Sequence, residues 1–226
     1  MPRNFVSLFG SGGDVLPSAG GPSPFVLIQS QVATDGGGGS ASINMTVTEG
    51  NSLIAISHWS DAVTLTSITC SGESNLSAIG SVITSANSTK LHMLRLDAIT
   101  ASGAKTITCT WSAPTANAQF WLAEISGGNT ASLLGQEGGT TGTGTTPTIN
   151  LTTATNGEMG LVACSAEGGE LTPGAGFTVI VLSNTNLWEE GEYKLDLGAA
   201  GLKTLSMTVG SAPWAIKAAT FKALGG

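Results

Sequence analysis

Apolar and polar residues alternate one for one along several stretches of this chain. Ile43, Met45 and Val47 alternate with Asn44 and Thr46, and Ile107, Cys109 and Trp111 alternate with Thr106, Thr108 and Thr110. Tyr193, Leu195 and Leu197 alternate with Lys194 and Asp196, and Leu205, Met207 and Val209 with Ser206 and Thr208. A period of two puts every second side chain on one face, so these segments predict half-buried strands. Four further runs, residues 53–56, 120–123, 159–164 and 177–182, are apolar on both faces and predict central strands. Two stretches, residues 35–40 and 127–147, are so rich in Gly and Thr that they predict loops.

The pattern repeats itself. Ile43-Asn44-Met45-Thr46 recurs as Ile149-Asn150-Leu151-Thr152, each followed by a polar turn and an apolar strand. Gly103-Ala104-Lys105-Thr106-Ile107-Thr108-Cys109-Thr110 recurs as Gly201-Leu202-Lys203-Thr204-Leu205-Ser206-Met207-Thr208. Ala113-Pro114 matches Ala212-Pro213, residues 120–125 match 214–221, and residues 91–97 match 192–197. Matched blocks in one order predict two related halves, about residues 41–126 and 147–223. Strands with one apolar face need a covering sheet, and the other half can supply it. The expectation is therefore a single β-sandwich over residues 25–226, and two separate small domains are the alternative.

Residues 1–24 fit neither period. They carry Gly, Pro and Ser around the apolar pairs Phe5/Val6, Leu8/Phe9 and Val15/Leu16. Disordered tails are usually poor in large apolar residues. This segment is expected to be an extended arm docked on the sandwich or on a neighbour, with those six residues as its partner contacts.

Residues 173–177 through Trp188, then Gly201-Leu202-Lys203-Thr204-Leu205-Ser206-Met207-Thr208, end in Trp214-Ala215-Ile216-Lys217-Ala218-Ala219. This half resembles β-sandwich domains of phage structural proteins and some bacterial secreted proteins, in which a Ser/Thr-alternating strand precedes a Trp-containing closing strand. The first half resembles them through residues 53–59, 65–72, 91–103 and 124–127. The resemblance implies an all-β, antiparallel, jelly-roll-like sandwich and no active site.

Composition narrows the function classes. Eight basic and fifteen acidic residues give a net charge of -7, without a Lys/Arg cluster, which argues against nucleic acid. No apolar run approaches the ~20 residues that span a bilayer. The start, Met1-Pro2-Arg3-Asn4-Phe5, lacks the apolar stretch of a secretory signal, so a product made in the cytoplasm is expected. Cys70, Cys109 and Cys164 lack metal-type spacing and read as small core residues, with a Cys70–Cys109 bridge as the minor alternative.

Candidate chemistry is sparse. His58-Trp59-Ser60-Asp61 contains triad residue types, but neighbours along a strand end do not converge as a triad must. His92 sits in an alternating strand and reads as structural. Glu189, Glu190 and Glu192 beside Trp188, like Glu167 and Glu170, read as a solvated turn rather than as paired catalytic carboxylates or calcium ligands. Of the five tryptophans, Trp111 and Trp121 read as core, while Trp59 and Trp188 flank turns where a sugar could stack.

The sequence thus predicts a non-enzymatic protein with no catalytic residue, cofactor or metal. The leading expectation is a phage virion protein, a capsid decoration or cement protein or another head or tail surface component. Its partners would be capsid or other virion proteins and copies of itself, with no nucleic acid and no membrane. The competing expectation is a carbohydrate- or receptor-binding module of the fibre or adhesin type, whose partner would be a glycan.

Overall fold

The structure is a computed structural model and describes residues 24–59, 63–86, 88–115, 118–166, 171–181 and 188–225. Its described residues form strands and turns only. The strands of the first half are β1 (Val26–Thr34), β2 (Ser40–Val47), β3 (Ser52–Trp59), β4 (Leu65–Cys70), β5 (Ser77–Thr84), β6 (Lys90–Leu96), β7 (Gly103–Trp111) and β8 (Gln119–Ser126). Those of the second half are β9 (Leu134–Gly144), β10 (Thr148–Thr153), β11 (Met159–Ala166), β12 (Thr178–Val181), β13 (Trp188–Lys194), β14 (Gly201–Ser206) and β15 (Ala212–Phe221). The all-β class is as expected, and the pairings between strands are antiparallel.

Alternation becomes one-sided burial. In β2 the residues Ala41, Ile43, Met45 and Val47 are buried, and the residues between them are exposed. The outer face is tied across to β7 by polar pairs, Ser42 to Thr108 at 2.9 Å and Asn44 to Thr106 at 2.7 Å. In the second half β10 pairs with β14 in the same manner, and Thr204 donates to Asn150 over 2.9 Å.

Four sheets result. One five-stranded sheet has the order β1-β8-β3-β6-β5, the other β12-β13-β11-β15-β9. The first half adds a three-stranded sheet, β2-β7-β4, and the second a two-stranded sheet, β10-β14. Three apolar clusters fix their stacking. Leu53, Ala55, Phe120 and Leu122 of the first large sheet pack against Ile43, Met45, Ile68 and Ile107 of its small sheet. Val162, Cys164, Ile216 and Ala218 pack likewise against Ile149, Leu151 and Leu205. Between the large sheets, Ile54, Ile56, Met93 and Trp121 meet Leu161, Ala163, Ala215 and Phe221.

The layers therefore run small, large, large, small. The sequence reading placed one half directly over the other as a single sandwich, whereas here each half also carries a small sheet on its outer side. The reason is local: β3 and β11 are buried at every position, and strands apolar on both faces need cover on both.

Two segments differ from the sequence reading. Residues 127–147, expected as a loop, contain the eleven-residue strand β9, which pairs with β15 at the sheet edge. Of residues 177–182, expected as a central strand, the described ones contain β12, which lies at the end of its sheet's strand order with Val179 41% exposed. The Gly-rich segment at 35–40 does form a turn. The Asp35 carboxylate accepts the N–H groups of Gly37, Gly38 and Gly39 and, from the β7–β8 connection, that of Thr115 at 3.2 Å.

Candidate functional site

The six arm residues singled out in the sequence, Phe5, Val6, Leu8, Phe9, Val15 and Leu16, lie outside the described residues. The chain enters the structure at Pro24, next to the buried ring of Phe25, and continues directly into β1. Among the described residues β1 pairs with β8 alone and is an edge strand of its sheet. Its pairing slips between Leu27 and Gln29, a bulge that re-aims the strand. Beyond the bulge Gln29 and Gln31 reach back to the carbonyls of Thr46 and Asn44.

β1 forms one wall of an open groove between the two large sheets. The groove has a volume of about 270 Å³ and is lined by Leu27, Ser30, Gln31, Val32, Trp121, Val179, Ile180 and Tyr193. Trp121 and Ile180 are nearly buried at its floor, and Val32 and Val179 stand exposed on opposite rims. No lining residue carries a formal charge at neutral pH. Of the seven large apolar residues that are exposed among the described residues, four lie on these edge strands: Val26, Ile28, Val32 and Val179. A second hollow of about 360 Å³ is lined by Pro24, Asn156, Gly157, Leu195, Asp196, Gly198 and Ala199.

The opposite edge of the same interface is closed. There Lys217 of β15 is buried and donates to the Ser81 carbonyl at 2.8 Å, with the Glu137 carboxylate of β9 at 3.4 Å. His92 of β6 meets the Gly80 carbonyl at 3.2 Å beside them. At this edge β5 and β9, of eight and eleven residues, cover one another.

The chemistry-bearing residues are scattered through the layers. The His58 ring is 1% exposed, and burial pushes its pKa down to about 3, so it is neutral at ordinary pH. Ser60 and Asp61 beside it, and Glu167 and Glu170, lie outside the described residues. Burial lowers the pKa of His92 as well, Lys217 adding to that and Gly80 and Glu137 opposing it. The three cysteines are free thiols in the cores, so no Cys70–Cys109 bridge is formed, and burial pushes Cys109 up to about 12. Among the described residues, no three His, Cys, Asp or Glu side chains gather as a metal would require.

The acidic segment reads differently in three dimensions. Glu190 and Glu192 belong to β13 rather than to a solvated turn, and Glu192 is fully buried with one carboxylate oxygen accepting the Gly174 N–H at 2.6 Å. Burial, with Glu190 adding to it, raises its pKa to about 7. Trp59 is buried, its indole N–H bonded to the Val63 carbonyl at 2.9 Å, which removes it as a stacking platform. The groove itself was missed from sequence. Its one linear signal is the run Phe25-Val26-Leu27-Ile28, apolar at four consecutive positions where a one-sided strand would need two.

Comparison with family models, with curated proteins and with solved structures gives no match to this chain.

Proposed function

We propose that this chain is a structural protein of a phage virion, a capsid decoration or cement protein or another head or tail surface component, working by binding and stabilisation. The open, uncharged β1–β12 edge carries this reading. Free strand edges and a grouped set of exposed apolar side chains suit stable contact with another protein, since burying them gains hydrophobic free energy without desolvating a charge. The segment that precedes β1 in the sequence carries six more large apolar residues. Elsewhere the small sheets present neutral polar pairs on their outer faces, such as Ser42–Thr108 and Asn44–Thr106.

We also infer that the halves are copies of one jelly-roll-like unit. Both large sheets read in the same order when β9, β15, β11, β13 and β12 are set against β1, β8, β3, β6 and β5. The Asn44–Thr106 and Asn150–Thr204 pairs fall within the matched sequence blocks. In this reading the halves pack about a pseudo-two-fold through β3 and β11, like an isologous dimer joined in one chain.

The test is particle incorporation. The chain is expected to co-purify with virions, and a Leu8→Asp/Phe9→Asp variant with an unchanged β circular dichroism spectrum is expected to be lost from them. A chain that never accompanies particles would sink the reading. Glycan binding that survives in the variant would favour the carbohydrate-binding alternative.

A further inference from the structure

We propose that the closed edge between the halves is a pH-sensitive latch, in which His92 and Lys217 jointly hold a bulge of β5 and charging of His92 in mildly acidic solution lets that strand open. The latch is independent of the virion reading.

It is built on an interruption of the β5–β6 pairing. Between Ile79 and Ile83 the register shifts, so that Gly80, Ser81 and Val82 of β5 stand against His92 alone. Gly80 has a φ of 59°, in the left-handed region, and a Cβ there would collide with the Glu137 carboxylate of β9. Two consecutive carbonyls of the bulge accept from side chains, Gly80 from His92 Nε2 at 3.2 Å and Ser81 from Lys217 Nζ at 2.8 Å. One donor comes from each half. Among the described residues β5 pairs with β6 alone, at the end of its sheet's strand order, so it can open without disturbing the central strands. Its opening uncovers Ile79 and Ile83, which pack in the central apolar cluster.

A carbonyl only accepts, so the neutral His92 ring carries its proton on Nε2, and charging adds the second proton at Nδ1. The bond to Gly80 survives, and the balance of charge is what changes. The ionisable groups that act on one another here are Lys217 from β15, Glu137 from β9 and His92 from β6, and β5 itself has no ionisable side chain. While His92 is neutral, one carboxylate balances one ammonium, 3.4 Å apart. Charged His92 sets two cations against that one carboxylate, beside a lysine side chain only 1% exposed, where water screens little. Burial, with Lys217 adding to it, accordingly outweighs the Gly80 bond and Glu137 and holds the His92 pKa below its ordinary 6.5. The closed latch therefore binds this proton less readily than the open strand does. Its contribution is complete above about pH 6.5 and is lost as the pH falls through the folded value.

The readout has to be local, because His58, whose pKa burial pushes down to about 3, weakens the whole molecule over the same range. Hydrogen exchange of the full chain at pH 7.5 and pH 5, corrected for the intrinsic pH dependence of amide exchange, supplies it. On going to pH 5, protection of peptides covering residues 77–84 should fall at least about threefold further than protection of peptides from β11. His92→Gln keeps an amide donor for Gly80 and cannot charge, so it should abolish that excess. No excess in the wild type, or the same excess in His92→Gln, would overturn the proposal. NMR titration reads the charge balance directly, since the chain has two histidines to distinguish. His92 should titrate below 6.5 in the wild type and at higher pH in Lys217→Met, where the neighbouring cation is gone. A wild-type His92 that titrates at or above 6.5, or one that Lys217→Met leaves unmoved, would refute the latch.

Discussion

Glu192 is buried with fewer donors than the other buried carboxylates. Glu124 accepts from the Thr48 N–H and the Asn51 amide, Glu158 from the N–H groups of Ala154 and Thr155, and Asp35 from four backbone N–H groups. Glu192 accepts one, from Gly174, and its other oxygen has no hydrogen-bond partner among the described residues. The titratable groups that act on it or feel its charge are Glu190 on the same strand and the Cys164 thiol on β11. Its pKa is near 7 when folded against an ordinary value of 4.5, so the folded state holds the proton that the unfolded state loses first. Its contribution is complete below about pH 4.5 and is lost as the pH rises through about 7. Glu192→Gln removes the titration and keeps an acceptor for Gly174. Thermal melts from pH 4 to 8 should show the variant close to wild type at the acid end and more stable above pH 7. Each kcal/mol corresponds to roughly 2–4 °C in Tm for a chain of this size. Parallel pH profiles would refute the assignment.

At the scale of elements, β9 shows why a glycine-rich segment can be a strand. A Cβ at Gly142 would overlap the Trp214 ring, one at Gly139 the Ile83 side chain, and one at Gly138 would come within 2.9 Å of Ile149. The glycines are there because neighbouring side chains occupy the space a Cβ would take, not because the backbone must turn. Gly142→Ala should therefore cost about 1–3 kcal/mol through overpacking. Thr143→Val, at an exposed position of the same strand, should stay within about 0.5 kcal/mol. Chemical denaturation of the two variants separates packing from propensity, and equal losses would count against the packing account. The same contrast explains what the sequence could show. β2, β3, β7, β8 and β11 were legible because burial alone decides their pattern. β9 was not, because composition cannot tell a glycine that frees the backbone from one that admits a neighbour. The edge position of β12 was equally hidden, since Phe177, Val179 and Ile180 carry the composition of a central strand. The groove depends on how β1 and β8 stack beside β12 and β13 across the two large sheets, and neither the hydrophobic period nor any motif encodes that stacking.

For the whole molecule, the central layer decides whether the halves are independent. Among the described residues, the cluster between the two large sheets contains 18 buried apolar residues, against 19 inside the first half and 11 inside the second. The 18 divide evenly between the halves, so the second half places nine buried apolar residues at the shared face, nearly as many as the 11 within its own sandwich. Opening that face would expose Leu161, Ala163, Ala215 and Phe221 on one side and Ile54, Ile56, Met93 and Trp121 on the other. Neither half has a substitute for the lost burial, and each leucine-sized side chain is worth about 1.5–3 kcal/mol. Folding should accordingly be a single cooperative event. The buried thiols make it measurable half by half, with Cys109 in the first half's inner core and Cys164 in the second's. Thiol labelling across a denaturant series, read by peptide mass, should show both becoming reactive at the same midpoint. Ile56→Ala, which touches only the central layer, should cost about 2–5 kcal/mol and lower both midpoints together. If Cys164 reacted well before Cys109, or if Ile56→Ala moved Cys109 alone, the halves would be separately folded units that merely touch.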